Sequence, residues 1–321
     1  MEGSAQPAFV DIGVNLTDDM YRGVYFGKER HPADLERVIA RAKQAGCRKL
    51  VVTGGSLSDS VRAIELCREF DPERNFLFAT VGVHPTRCNE FEPSSLHHLS
   101  KLASVIERNR DRVVALGEIG LDADRTQFCD LDTQKKYFEF QLLLSRHFRL
   151  PLFLHMRDAE APFCEILART RELWEGQGGV VHSFTDSHAA LKSVLSLSPA
   201  LHIGINGCSL KTEENLQVVK AIPLERLHLE TDAPWCDIRP THAGFAILTR
   251  ELPTIAAEEK KKQKPQNWKP ETQVKNRNEP CNIAHVARIV RQLVAPDMPF
   301  EAFAAAVCAN SLRMFPLMGA K

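Results

Sequence analysis

The feature that most constrains the fold is an alternation of short apolar segments with amphipathic stretches of helical period, repeated eight times. In the first repeat, residues 8–13 form an apolar run, and residues 31–45 place Leu35, Val38 and Ala42 on one helix face. The predicted strands are residues 8–13, 49–54, 76–83, 113–118, 152–155, 179–182, 201–204 and 226–232. Apolar strands that alternate with helices are typical of parallel sheets covered on both faces. We therefore predict an α/β fold, a TIM (β/α)8 barrel.

The alternation stops after the eighth predicted strand. Residues at about 240–278 show no clear period and contain a basic run, which predicts an irregular, exposed insertion. Two amphipathic segments at about 282–315 predict a pair of C-terminal helices that pack against the barrel. Because one barrel accommodates a chain of this length, residues 1–321 are predicted to form a single domain.

A group of lysines beside Trp268 in this insertion has two interpretations. The lysines are Lys260, Lys261, Lys262, Lys264 and Lys269. They offer a positive strip with one stacking surface for a single nucleic-acid strand. The alternative is an exposed, solvated loop, which is the more common structure for such a run of charges.

Composition excludes several classes of protein. The 41 basic and 41 acidic residues give zero formal net charge, which argues against a protein that coats polyanions. No stretch approaches 18 uninterrupted apolar residues, so no membrane span is predicted. The nine cysteines lack any C-x-x-C pair, and the first residues lack the features of a signal peptide. These observations predict an intracellular protein of the nucleus or cytoplasm, and no obligate protein partner is evident.

Polar side chains end, or directly follow, seven of the eight predicted strands. They are Asn15, His84, Glu118, His155, His182, Asn206 and Asp232. The carboxyl ends of barrel strands converge on one mouth, where ionisable groups are costly unless they are paired or bound to metal. Two imidazoles and two carboxylates are a suitable ligand set for a divalent cation. The sequence therefore predicts a metal site formed by Glu118, His155, His182 and Asp232.

Residues beside these positions extend the candidate site toward a substrate. Asp122 follows a glycine-containing strand end, and Arg157 places a cation suited to a phosphate or carboxylate. Glu230 lies on the same side of its strand as the residue two positions later. Arg277 and Asn278 end the insertion just before a predicted helix. Structural alternatives remain open for three of them: an ion pair for Arg157, a barrel anchor for Glu230 and a helix cap at Arg277.

The motifs that contain these residues resemble those of the TatD family of metal-dependent hydrolases, in the form closest to the eukaryotic TatD-type deoxyribonucleases. Spread in order over residues 9–315, they are Asp11-Ile12-Gly13-Val14-Asn15-Leu16-Thr17, Val81-Gly82-Val83-His84-Pro85, Gly117-Glu118-Ile119-Gly120-Leu121-Asp122, Leu154-His155-Met156-Arg157, Val181-His182-Ser183-Phe184, Glu230-Thr231-Asp232-Ala233-Pro234 and Arg277-Asn278-Glu279-Pro280. The resemblance implies a TIM-barrel metal hydrolase that acts on DNA, typically as a 3′→5′ exonuclease requiring a divalent cation. It also implies the four metal ligands named above, with Asp232 taking a proton from the attacking water.

One departure from the family pattern concerns the metal count. Many family members begin with Asp-x-His-x-His, whose histidines complete a second metal position, whereas Gly13 and Asn15 stand here, as in the TatD-proper branch. Glycine has no side-chain ligand, and an amide is a poor substitute for imidazole. We therefore expect one tightly held cation and a second recruited by substrate phosphate. Two imidazoles favour Zn, Mn or Co, whereas Mg prefers oxygen ligands. Mg could still be the working ion if its affinity is weak and its cellular supply is high, so Mg, Mn and Zn all remain candidates.

The predicted reaction is hydrolysis of DNA phosphodiester bonds, with DNA as the partner, single-stranded or with a free 3′ end. The catalytic residues are predicted to be Asp232, Glu118, His84 and Arg157. The predicted substrate contacts are Asn15, His84, Asp122, Arg157, Asn206, Glu230, Arg277 and Asn278. Two alternatives stay open: a small-molecule amide or phosphoester hydrolase on the same barrel, and a non-catalytic nucleic-acid-binding protein.

Overall fold

The computed structural model describes residues 7–317, in which eight strands belong to one sheet. These are β1 (Phe9–Val14), β2 (Cys47–Val52), β3 (Leu77–Val81), β4 (Val113–Asp122), β5 (Leu152–Arg157), β6 (Gly179–Val181), β7 (Leu201–Ile205) and β8 (Leu227–Leu229). They are hydrogen-bonded in that order, and the pairs from β3 to β7 are parallel. The predicted (β/α)8 fold class is therefore confirmed, because sheet order follows chain order and helices separate the strands.

Eleven α-helices accompany the strands within the described residues. They are α1 (Leu35–Gln44), α2 (Leu57–Phe70), α3 (Ser95–Arg108), α4 (Leu131–Phe148), α5 (Glu160–Arg169), α6 (His188–Leu197), α7 (Glu213–Lys220), α8 (Ala243–Glu251), α9 (Ile255–Lys261), α10 (Ile283–Val294) and α11 (Phe300–Met314). Several begin at a side chain that accepts a backbone hydrogen bond, as Ser56 does for α2 and Asp130 for α4. None of the helices formed by residues 7–317 has both the length and the hydropathy of a bilayer span.

The chain divides into two compact units. Within the described residues, the first unit comprises 7–50 and 205–311, and the second comprises 51–204 and 312–317. In the second unit, β4 lies so close to β5 that two of its glycines have no room for a side chain. A Cβ on Gly117 would lie 2.2 Å from the carbonyl oxygen of Phe153, and one on Gly120 would lie 1.9 Å from that of His155. These glycines hold Glu118 beside the carboxyl end of β5.

In the first unit, hydrogen bonds join β1 to the residues that follow β8. The amide of Asp232 donates to the carbonyl of Gly13 over 2.9 Å, and that of Asn15 donates to Ala233 over 2.7 Å. The buried carboxylate of Asp11 accepts from the Thr231 amide at 2.9 Å and from its hydroxyl at 2.6 Å. The first and eighth strands therefore fix the backbone on both sides of Asp232.

The insertion at about 240–278 was expected to be irregular, and this expectation is wrong for residues 243–251 and 255–261. It contains α8 and α9, whose buried side chains include Leu248 and Ile255. The helices span nine and seven residues. They were missed because a periodic pattern is recognised over a longer window than either helix provides. The prediction of one domain over residues 1–321 stays a prediction.

The expected lysine strip is only partly available at the surface. Lys262 is nearly buried, with its ammonium 3.0 Å from Asp237 and 2.6 Å from Glu259. The Trp268 ring stacks on His31 with centroids 5.3 Å apart, and its Nε1 donates to Asp34 at 3.0 Å. The other four lysines are exposed. The indole that was expected to offer a stacking surface is therefore already used in packing.

Candidate active site

Glu118 in β4 is the centre of the candidate site in the second unit. Its Oε1 lies 2.8 Å from His155 Nδ1 and 2.8 Å from His182 Nε2, and His84 Nε2 approaches to 3.5 Å. Burial alone would raise the pKa of Glu118, but the imidazoles of His84 and His182 and the hydrogen bonds from His155 and His182 hold it well below its usual value. One ionised carboxylate oxygen is thus shared by three imidazoles.

Asp122, at the end of β4, holds His155 from the other side. Its Oδ2 lies 3.2 Å from His155 Nε2, so the imidazole is placed between two carboxylates. Burial would lower the pKa of His155, but its hydrogen bonds to Asp122 and Glu118 raise it. The position of Asp122 depends on Gln134 of α4, whose side chain accepts from the Asp122 amide at 2.8 Å and donates to its carbonyl at 3.0 Å. Sequence reasoning missed Gln134, which is a buried amide on the core face of a helix.

His84 precedes a short 3-10 helix, Pro85–Phe91, and its ring is fixed by that turn. Its Nδ1 accepts from the Thr86 amide at 3.2 Å and lies 2.7 Å from the Thr86 hydroxyl. Burial lowers the pKa of His84 to about 3, against the opposing charge of Glu118, so the ring is neutral at physiological pH. Its other nitrogen is the one that faces the carboxylate of Glu118.

These residues fit a divalent cation. One ligand atom each from His84, Glu118 and His155 lies within 4.8 Å of the others, so the three can converge on one ion. Contacts with Thr86 at Nδ1 orient the His84 ring, and donation from Nδ1 to the Thr86 hydroxyl would leave Nε2 free for the ion. Two imidazoles and a carboxylate suit Zn, Mn or Co, and the identity of the ion is open. The sequence predicted catalytic and substrate-contacting roles for His84, and the structure brings it together with Glu118 and His155.

The first unit contains Asp232, which follows the carboxyl end of β8 in the left-handed region, with φ of 51°. Both carboxylate oxygens accept hydrogen bonds: Oδ1 from the Asn15 side chain at 2.8 Å and Oδ2 from the Cys236 thiol at 3.2 Å. Left-handed backbone at a non-glycine residue is uncommon, and aspartate is one of the residues that adopt it more readily. Asn15 was expected to contact substrate, and the structure gives it the further task of orienting this carboxylate.

Asn206 and Glu230 are fully buried in the same unit and contact each other. The Asn206 amide donates to Glu230 Oε1 at 3.0 Å, and its oxygen accepts from the Cys208 amide at 2.8 Å. Their burial favours an orienting role over direct contact with a substrate. The alternative of Glu230 as an anchor of the barrel agrees with this environment.

Arg277 and Asn278 were expected to contact substrate, but the structure buries both. The Arg277 guanidinium has no exposed surface and pairs with Asp34 at 2.7 Å and Glu279 at 3.0 Å. Burial would lower the pKa of Arg277, but these carboxylates raise it above its usual value. The Asn278 side chain donates to Thr231 at 3.0 Å. Asn278 therefore braces the backbone that follows β8, whereas Arg277 joins Asp34, Glu279 and the Met20 carbonyl. Sequence reasoning missed Asp34, which meets Arg277 across 243 positions of chain.

Arg157, at the end of β5, remains available to an anion. Its guanidinium is about one-third exposed and lies 3.7 Å from Asp124, a distance too long for a tight ion pair. A cation in this half-solvated position can exchange its carboxylate neighbour for a phosphate without leaving a buried charge unpaired. This environment is compatible with the expected role of Arg157, which is to contact a substrate phosphate.

Comparison with known proteins places the chain in a family. A family model for TatD related DNase matches residues 10–316. Deoxyribonuclease Tat-D of Schizosaccharomyces pombe is 41% identical over 312 residues, with 95% of each chain covered. The 3′-5′ ssDNA/RNA exonuclease TatD of Erwinia amylovora is 33% identical, with 96% of this chain and 99% of the relative covered. The structure of a TatD family hydrolase from Entamoeba histolytica has a TM-score of 0.87 at 36% identity, covering 98% of this chain and 100% of that one. The chain belongs to the family of TatD-related DNases.

Proposed function

We propose that this protein is a divalent-metal-dependent deoxyribonuclease that removes nucleotides from the 3′ end of single-stranded DNA. The observation that carries the proposal is the shared carboxylate oxygen of Glu118 among His84, His155 and His182. Burying such a cluster is costly, and apolar side chains could fill the barrel interior instead. The cluster is therefore better explained by function than by stability. The names of the yeast and bacterial relatives, a deoxyribonuclease and a 3′-5′ exonuclease, support the choice of substrate.

The proposed ligands are His84, Glu118, His155 and His182, with Asp232 as a further ligand. A divalent cation at such a site supplies Lewis acidity and lowers the pKa of a coordinated water. Asp122 keeps the His155 ring in place through its 3.2 Å contact. A neutral His84 ring that donates from Nδ1 to the Thr86 hydroxyl, 2.7 Å away, would present the lone pair of Nε2 to the cation.

Asp232 is proposed to accept the proton of the attacking water. The hydrogen bonds from Asn15 and Cys236 hold its carboxylate in one orientation, which a general base requires. Arg157 is proposed to offset the charge that develops on the phosphate, because its guanidinium is partly exposed and only weakly engaged by Asp124. Asn15 and Asp122 act in this scheme as positioning residues.

The test is an assay of DNA shortening after metal exchange. Protein stripped with a chelator is resupplied with Mg, Mn or Zn separately and incubated with 5′-labelled single-stranded DNA. We expect a ladder that shortens from the 3′ end and depends on the cation. Products that appear at internal positions from the start would contradict the exonuclease mode. Activity on simple amides or phosphoesters without activity on DNA would favour a small-molecule hydrolase, and binding without turnover would favour a non-catalytic protein.

The metal count gives a second expectation. Free protein should retain about one equivalent of tightly bound cation, since Gly13 and Asn15 provide no second pair of imidazoles and Asn15 is bonded to Asp232. Elemental analysis after gel filtration, with and without a hydrolysis-resistant oligonucleotide, measures this number. Two full equivalents in the absence of nucleotide would contradict the proposal of a second, substrate-recruited ion.

A further inference from the structure

Three of the Phe, Tyr and Trp side chains within residues 7–317 are largely exposed, and all three occupy the same kind of segment. They are Phe26, Phe128 and Trp235. Each lies between the carboxyl end of a strand and the helix that follows it, after β1, β4 and β8 respectively. Single exposed apolar residues are common on protein surfaces. Among the described residues, the exposed Phe and Trp rings are confined to strand-to-helix loops, which carry the substrate contacts in (β/α)8 barrels, and this indicates a functional role.

Trp235 is the best defined of the three. Its side chain is 51% exposed, although it is only three residues from Asp232. Its amide donates to the Asp232 carbonyl at 3.0 Å, and the preceding Pro234 carbonyl accepts from the Asn278 amide at 2.9 Å. Hydrogen bonds therefore fix the backbone at Pro234 and at Trp235. A ring on a fixed backbone loses little conformational entropy when a flat ligand stacks on it.

The other two tryptophans are used in packing. Trp174 is fully buried and donates from Nε1 to the Leu167 carbonyl at 3.0 Å. Trp268 stacks on His31 and donates to Asp34. The indole that stands open to solvent is therefore the one that follows the candidate proton acceptor, and not the one in the lysine-rich segment.

Phe26 is a second open ring in the same unit. It is fully exposed at the turn between the paired segments Val24–Tyr25 and Lys28–Glu29, and its φ of 51° is uncommon for a bulky residue. The exposed residues Lys28, Glu29 and Arg30 follow it in the chain, and two of the three are basic. An aromatic face with neighbouring positive charge is the combination that holds single-stranded nucleic acid.

We propose that Trp235, assisted by Phe26, is a stacking platform for the nucleobases of a single-stranded substrate. The inference rests on the proposed nuclease function. It adds that the protein binds the bases of its substrate as well as the phosphates. Every nucleobase has a flat aromatic face, so such a platform tolerates all four bases. The platform would hold the strand at bases adjoining the phosphodiester on which Asp232 acts.

The test compares two substrates that share a backbone and differ in their bases. Initial rates give kcat/KM for oligothymidylate and for an abasic oligonucleotide of equal length. The wild-type protein should prefer oligothymidylate, and Trp235→Ala should lower that preference about 5- to 150-fold, because one lost stack costs about 1–3 kcal/mol. Trp235→Phe should retain most of it. Trp268→Phe is the matched control and should leave the preference unchanged.

Fluorescence supplies a readout that does not depend on turnover. A hydrolysis-resistant phosphorothioate oligothymidylate should quench the emission of the holoenzyme, and the quenching should disappear in Trp235→Phe and persist in Trp268→Phe. Quenching that persists in Trp235→Phe would overturn the inference, as would an equal substrate preference in Trp235→Ala and the wild type. If the wild type hydrolyses neither oligonucleotide, the nuclease function itself fails, which is a distinguishable result.

Discussion

Replacing Asp232 with Asn should lower kcat for hydrolysis of single-stranded DNA by about 10²–10⁴-fold, the usual contribution of a general base. The amide has the same shape and can still accept the hydrogen bond from Asn15, so the fold should be retained. It cannot accept a proton at neutral pH. The measurement is kcat at saturating cation and DNA, with circular dichroism to check folding. A rate near that of the wild type would rule out Asp232 as the proton acceptor.

A matched control separates this role from a general loss of negative charge. Asp111 is also acidic, but it is exposed, lies before the amino end of β4, and its carboxylate is 3.2 Å from Arg74. Asp111→Asn should therefore retain activity. The metal content of Asp232→Asn then distinguishes the two proposed roles of Asp232, metal ligand and proton acceptor. Loss of bound cation indicates a ligand, whereas lost turnover with full metal content indicates a proton acceptor.

Replacing Arg277 with Met should lower the free energy of unfolding by about 3–5 kcal/mol, because the change leaves buried carboxylates without their main counter-charge. Asp34 would lose both of its 2.7 Å contacts, and Glu279 would keep only its pair with Arg41. Denaturant-induced unfolding of the full chain measures the change.

The control for Arg277→Met is an exposed ion pair of the same chemistry. Arg74 lies 3.2 Å from Asp111, and both side chains are largely exposed, so Arg74→Met should change stability by less than about 1 kcal/mol. A cost for Arg277→Met no larger than that of the control would contradict a structural role. If stability is unchanged while DNA affinity falls and loses part of its salt dependence, Arg277 contacts phosphate after all.

Much of the fold could be predicted because it depends on local patterns. Each strand of the sheet is an apolar run between turn residues, and the predicted and observed strands overlap in all eight repeats. The helices α8 and α9 were missed because they are too short to show a period. The hairpin that carries Phe26 was also missed, since each of its strands has only two residues.

The sequence by itself determined the fold class and the chemical character of the strand ends, because strand period and residue type at a strand end are local properties. Only the tertiary structure decided which of those side chains meet. It placed His84 with Glu118 and His155, bonded Asn15 to Asp232, and enclosed Arg277 with Asp34. It also packed Trp268 against His31 and left Trp235 open. Burial and partnership arise from contacts between residues far apart in the chain, and no local pattern in one sequence contains them.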